Sequence, residues 1–486
     1  MRTCTSIPVL VATVATAIFA TTVHAQSHTE LPQEPLEPCT IGRVPGEVLC
    51  GKFTVYEDRE ARTGRTIDLR IVVLRATGEN RQPDPVVPLA GGPGGSATAG
   101  AEGYAEIFAE ERRERDILLV DQRGSGGSNP LHCSFPVAGG ELSFFGSLFP
   151  IAHITMCRER LSERADLSLY GTPIAADDLE DIRRWLGYDR LNLSGGSYGT
   201  RIAQVFMRRH PGSVRTAVLN ALVPVGRNPY FYGASSIDQG LEQLFGDCAA
   251  DTRCHEAYPQ FGEQFAAIVA RFDRGPVETE VSLSDRTNAT VGFTRGDFAY
   301  AVRGMLYNTR SNRLPLLVRN AYESDNLQPF AQYYLQRIGW VTDDGTATGM
   351  HFSILCSEDM VFNDWEELRE VTEGTLMGEH LIREYERACD NWVTYEVPAS
   401  YNDPLRSDVP TLLLSGERDP ITPPAYGEDV AQHLTQALHV VQPNAGHGAG
   451  GSCVAQLRLQ LITTGSVDGL DPSCIRPTSK PNFVVP

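Results

Sequence analysis

A serine, an aspartate and a histidine, met in that order along the chain, carry the chemistry this sequence can do. The serine is Ser197, set in Gly195-Gly196-Ser197-Tyr198-Gly199, a G-x-S-x-G pattern. A serine hydroxyl is a poor nucleophile at neutral pH; it needs a base, and the base needs a carboxylate to fix its tautomer. Asp419, in Gly416-Glu417-Arg418-Asp419-Pro420, and His447, in Gly446-His447-Gly448, follow in the order such a set takes when the serine sits on a strand-to-helix corner. The chemistry is acyl transfer, with Ser197 as nucleophile, His447 as base and Asp419 as the orienting acid. Glu417 is the nearby substitute for Asp419. His210 ends a helical run, His433 lies within another, and His439 falls inside a strand. His447 sits on a loop after a strand, where a base has to be.

A tetrahedral oxyanion needs two backbone N–H groups already aimed at it. Tyr198, next after the nucleophile, supplies one, and Gly91 or Gly92 of Ala90-Gly91-Gly92-Pro93-Gly94-Gly95-Ser96 supplies the other. The same loop lacks the lysine and the serine or threonine that a phosphate-cradling loop carries.

The elements around these residues are those a serine corner requires. A strand over 190–194 is followed by a helix over 200–209, whose Ile202, Val205 and Phe206 share one face. Ahead of it, a helix opens at Thr172-Pro173 and stops at Gly187. Strands are expected over 51–57, 66–75, 86–90, 117–120 and 214–222. A helix over 101–115 should turn Tyr104, Ile107 and Phe108 inward. Strands alternating with helices predict an α/β fold, a mostly parallel sheet covered on both faces. Beyond Pro224 short helical patterns dominate (238–245, 260–272 and 313–322), with an exposed hairpin around 278–288. No further buried strand of the parallel kind comes before 410–414, and a last one at 439–441 leads to His447. The expected division is a leader at 1–25, a first core part at 26–224, an inserted, mainly helical cap at 225–408 and a second core part at 409–486.

Arg2, the apolar run 9–20 and Val23-His24-Ala25 read as a cleavable export signal, placing the protein in the periplasm or outside the cell. That run is too short to span a membrane, and nothing later is longer. Setting Cys4 aside leaves an even set of cysteines. They fall into successive pairs, expected as disulfides: Cys39 with Cys50, Cys133 with Cys157, Cys248 with Cys254, Cys356 with Cys389, and Cys453 with Cys474. Zinc does not suit them, for there is no C-x-x-C and no cysteine–histidine cluster. The net charge of −19, with no basic patch, argues against nucleic acid or anionic lipid as partners. The sequence implies neither a metal nor a cofactor, and it does not set the oligomeric state.

Taken together, Gly91-Gly92-Pro93-Gly94-Gly95, Asp121-Gln122-Arg123-Gly124-Ser125-Gly126, the serine corner, Asp419-Pro420-Ile421-Thr422-Pro423 and Gly446-His447-Gly448 resemble the proline iminopeptidase and tripeptidyl aminopeptidase group of α/β-hydrolases. The resemblance runs from about Cys39 to Cys474. It implies an α/β-hydrolase fold and a peptide substrate, with proline or short peptides released from free N-termini, or else a small ester. Ala90 stands where iminopeptidases usually carry histidine, which together with the leader and the cysteines points to the tripeptidyl branch. The segment Cys356-Ser357-Glu358-Asp359 resembles a C-x-E-D element of the same group. Its carboxylates, Glu358 or Asp359, are the candidates for holding a substrate ammonium; the alternative is that they pair with an arginine or cap a helix. Asp121 and Arg123 are expected to form an ion pair bracing the loop beside the site. Two other functions fit the same residues: an esterase or lactone hydrolase with this triad, and a non-catalytic hydrolase fold used for binding.

Overall fold

The structure, a computed structural model, describes residues 1, 31–225, 228, 230, 232–307 and 311–486. Residues 2–25 of the expected leader, Cys4 included, lie outside them. From Gln33 onward the chain forms one compact unit.

Its frame is a mixed sheet of nine strands: β1 (Glu37–Pro38), β2 (Val48–Tyr56), β3 (Thr66–Leu74), β4 (Val86–Leu89), β5 (Ile117–Val120), β6 (Leu191–Gly196), β7 (Val214–Asn220), and, after an interval holding the separate hairpin β8 (Val277–Ser282) and β9 (Asn288–Phe293), β10 (Thr411–Gly416) and β11 (Ala437–Gln442). The spatial order is β1-β2-β3-β5-β4-β6-β7-β10-β11. The first three strands and the β3–β5 pair are antiparallel, and every pair from β5 to β11 is parallel. The sequence explains the division. β3 alternates, with Ile67, Leu69 and Ile71 turned inward, whereas β4 (VVPL) and β10 (TLLLSG) are buried at every position and so have both faces covered.

β4 has β5 on one side and β6 on the other, so the chain leaves its end toward opposite edges of the sheet. In open parallel sheets such a switch point, at the carboxyl ends of the strands, is where a crevice forms. The glycine loop follows β4 and the serine corner follows β6, both at that end.

The interval between β7 and β10 is mainly helical, with the β8–β9 hairpin as its own two-stranded sheet. Its helices include Gly233–Ala250, Arg295–Tyr307, Gln328–Ile338, Thr348–Glu358 and His380–Cys389. Its aromatic residues pack as one body; Phe298 alone meets Phe265, Phe272 and Phe330. Five disulfides link Cys39–Cys50, Cys133–Cys157, Cys248–Cys254, Cys356–Cys389 and Cys453–Cys474.

One expected helix is shorter and turned. Instead of 101–115 it spans Ala101–Ile107, followed by a single tight turn at Glu111–Arg113. Ala101, Ala105 and Phe108 are its buried positions, and Ile107 is 54% exposed. The apolar face runs i, i+4, i+7 from Ala101, which puts Ile107 about 100° off it.

Candidate active site

Ser197 sits on the corner between β6 and the helix Tyr198–Arg209 with φ 54° and ψ −126°, a conformation that non-glycine residues rarely adopt. The flanking glycines are steric requirements. A side chain at Gly195 would run into the Gly199 carbonyl, and one at Gly199 into the carbonyls of Leu89 and Ala90 at the end of β4. The helix that begins there is buried along nearly its whole length, with Ile202, Val205 and Phe206 in the core. A strained serine thus stands on a rigid base.

Asp419 lies on the loop after β10, and its side chain is fully buried. Its own turn supplies donors: Ile421 N and Thr422 N to Oδ1 at 2.9 and 3.0 Å, and Thr422 Oγ1 to Oδ2 at 2.6 Å. The remaining partner is His447, whose Nδ1 donates to Oδ2 at 2.8 Å. With Nδ1 carrying the proton, Nε2 is the basic nitrogen. It is buried and has no hydrogen-bond partner among the described residues. The Tyr307 ring, from the helical insertion, rests on the imidazole at 4.9 Å between centroids.

Asn220, the last residue of β7, joins the two halves of the site. In the sheet it is paired with Gly196 on one side and Leu414 on the other. Its carbonyl accepts from Ser197 N at 3.0 Å, while its side-chain amide accepts from Ala449 N and donates to Ala449 O, both at 2.9 Å. The serine corner and the histidine loop are therefore held by one residue.

The glycine loop after β4 presses on the same corner. A Cβ on Gly91 would lie 3.0 Å from the Gly196 carbonyl and 3.2 Å from Ser197 Cβ. The start of the helix Thr348–Glu358 clasps this loop: Ala347 N donates to Gly94 O at 3.0 Å, and His351 lies near Pro93. The Tyr198 side chain turns inward, its hydroxyl 2.8 Å from Thr172 Oγ1.

Two family models match the chain: residues 84–255 match the alpha/beta hydrolase fold, and residues 375–474 match TAP-like protein. The chain is an α/β-hydrolase. Over 429 residues it is 26% identical to the serine protease Hip1 of Mycobacterium tuberculosis, covering 82% of this chain and 81% of that one. It is also 23% identical over 468 residues to the tripeptidyl aminopeptidase of Streptomyces coelicolor, covering 89% and 84%. A proline iminopeptidase of Arabidopsis thaliana matches half of each chain at 25% identity.

Several residues of this α/β-hydrolase have partners that the sequence does not disclose. Asp121 does not pair with Arg123. Its carboxylate accepts from Ser96 Oγ, Thr98 N, Thr98 Oγ1 and Gly127 N, closing the glycine loop. Arg123 turns the other way, into a two-pronged contact with Asp178 at 2.6 and 2.9 Å. Two residues apart on a turning loop, the side chains diverge.

Glu358 and Asp359 are both buried. Asp359 binds Arg201 of the serine helix at 2.7 Å. Glu358 accepts from Thr172 N at 2.7 Å and from the hydroxyls of Tyr395 and Tyr401. Burial pushes both carboxyls up, against the pull of these donors and of Arg201. Glu417 reaches Asn444 N at 2.8 Å, and His439 and His210 bond Ser415 and Asp177. Among the described residues no group of three or more histidine, cysteine, aspartate or glutamate side chains is arranged to hold a metal ion, and no helix is long and apolar enough to cross a membrane.

Proposed function

We propose that this chain is an exported serine hydrolase acting as an aminopeptidase, releasing proline or short peptides from free N-termini through an acyl-enzyme. The observation that carries this reading is the His447–Asp419 contact, which leaves a buried, unpartnered Nε2 on a loop that Asn220 stitches to Ser197. In the reaction Ser197 Oγ attacks the substrate carbonyl and passes its proton to His447 Nε2, and Asp419 supports the imidazolium. The amides of Tyr198 and of Gly91 or Gly92 hold the oxyanion. His447 returns the proton to the leaving group, and water then deacylates the serine. The insertion, proposed as a cap over 225–408, supplies the substrate-facing wall.

Similarity to a serine protease and a tripeptidyl aminopeptidase supports a peptide over an ester. Five disulfides support an oxidising compartment. In this reading Asp359 braces the serine helix and Glu358 the start of the helix Thr172–Trp185, because a substrate ammonium would have to displace the tyrosine hydroxyls or Arg201 to reach them.

Labelling with a fluorophosphonate tests the nucleophile directly. One label per chain is expected, on Ser197, and Ser197→Ala should lower kcat by about 10^6. Cleavage of p-nitrophenyl esters alone, with free-N-terminal peptides untouched, would replace the aminopeptidase by an esterase. A folded protein that takes no label would leave a binding protein.

A further inference from the structure

Arginines buried in this protein have carboxylate or carbonyl partners: Arg115 with Asp84, Arg123 with Asp178, Arg201 with Asp359, and Arg458 with Glu111. That is expected of a chain with 61 acidic and 42 basic residues. Arg303 and Arg337 depart from it. Both are half-buried, each has its Nε buried with no hydrogen-bond partner, and neither forms an ion pair among the described residues. A partly buried guanidinium with no carboxylate beside it is a ready partner for an anion brought by a ligand.

The two lie together, about one helical turn from the tyrosine that packs on His447. Tyr300, Arg303 and Tyr307 share one face of the helix Arg295–Tyr307, spaced i, i+3, i+7. Arg303 Cζ is 5.8 Å from the centroid of the Tyr300 ring, and one helical turn further on Tyr307 rests on His447 at 4.9 Å. One turn is about 5.4 Å along the helix. Arg337, on the helix Gln328–Ile338, crosses beside it: a Cβ on Gly304 would be 3.2 Å from its Cγ and Nε. Both guanidinium charges, together with Asp419, act on the Tyr307 hydroxyl. Around them stand Tyr230 and Tyr385, whose hydroxyls burial pushes up, so that they supply no counter-ion.

We propose that Arg303 and Arg337 form a carboxylate-binding subsite beside the triad, so that the preferred substrates carry an anionic group. This rests on the hydrolase reading above and specifies its substrate class. A planar carboxylate satisfies the forked donors of arginine, and a desolvated charge-assisted contact of this kind discriminates strongly against a neutral isostere. The carboxylate has two sources in a peptide, an acidic side chain or the free C-terminus.

Matched pairs separate them. The full-length protein is assayed on short free-N-terminal peptides with Glu or Gln at each position, and on the same peptides ending in a free acid or an amide. The ratio of kcat/KM within each pair is the readout, which damage to folding or to the triad leaves alone. In the unsubstituted protein at least one class of pair should favour the acid by about tenfold or more. The ratio should fall toward one in Arg303→Gln and in Arg337→Gln, survive in part in Arg303→Lys, and shrink with added salt. A preference confined to Glu-over-Gln pairs assigns the site to side chains; one confined to acid-over-amide pairs assigns it to the C-terminus. Ratios within twofold of one for every pair, or a preference that both glutamine variants keep, would overturn the subsite. Fluorophosphonate labelling of Ser197 reports separately on the hydrolase reading. If no peptide is turned over, the same pairs are titrated as ligands against Ser197→Ala protein, and equal affinity within every pair counts against the subsite in the same way.

Discussion

Asp419 accepts from its own turn three times and from His447 once, so the carboxylate is fixed before the imidazole reaches it. Replacing it with asparagine keeps the shape but changes what Nδ1 meets, and the wrong tautomer of His447 becomes the stable one. Asp419→Asn should fold normally and lose about 10^4 in kcat. Glu417→Gln should stay within about twofold, because Glu417 serves the Asn444 amide. Circular dichroism with kcat for the two variants checks both halves, and activity lost in Glu417→Gln but kept in Asp419→Asn would transfer the acidic role. Much at this scale is legible in the sequence because it is local: Gly195, Ser197 and Gly199 describe a corner, and Asp419 to Thr422 describe a turn. Asp121 and Arg123 are as close in sequence as those, yet they diverge onto different partners. Glu358 and Asp359 divide likewise, since adjacent residues at a helix end point about 100° apart. Spacing tells which groups are near, and only the packed fold tells which way they face.

At the scale of elements, the helix Thr348–Glu358 joins the insertion to the catalytic floor. Its start meets the glycine loop through Ala347, and Asp359, which follows it directly, binds Arg201 of the serine helix. No periodicity in the sequence forecasts this, because the helix is buried all round and has no polar face to orient it. His351 is its one histidine. Its Nε2 lies 3.3 Å from the Tyr385 hydroxyl, which can donate to the neutral ring. Burial lowers its pKa from 6.5 to about 4. Between those values the unfolded chain binds a proton that the folded chain refuses, so stability rises with pH across the window and is lost as pH falls through it. The contribution is about 3 kcal/mol. His380, also lowered to about 4, acts in the same sense. In His351→Gln, which keeps a donor and an acceptor but does not titrate, the loss of stability between pH 6.5 and 4 should be shallower by about that amount. Denaturant unfolding at several pH values measures it, and parallel curves for the two proteins would remove His351 from the acid response.

Over the whole molecule, the parallel sheet and the helical insertion are separate layers, and the last residues run from one to the other. The Cys453–Cys474 disulfide ties the end of the core to the helix Ser452–Thr464. Beyond it, Thr478 N donates to Pro443 O at 2.9 Å, four residues before His447. Lys480 Nζ then meets Asp247 at 3.0 Å, on the helix Gly233–Ala250. Further on, Asn312 Nδ2 donates to Asn482 O at 2.9 Å, Val484 N to Asn312 O at 3.1 Å, and Tyr258 OH to Val484 O at 2.8 Å. Phe483 is buried between these bonds, 5% exposed. Together with residues of the histidine loop, of Gly233–Ala250 and of Arg295–Tyr307, this strap borders a cavity of about 870 Å³ that opens onto His447. The terms differ in weight. Phe483→Ala removes a buried ring and should destabilise the fold by roughly 3 kcal/mol, whereas Lys480→Ala removes a mostly exposed lysine from Asp247, which keeps Arg418, and should cost less than about 1 kcal/mol. Because the strap crosses between layers, Phe483→Ala should also expose the insertion to limited proteolysis before the sheet is cut. Thermal midpoints and the order of proteolytic cuts test this together, and a Phe483→Ala protein that melts and is cut like its parent would reduce the strap to a surface decoration.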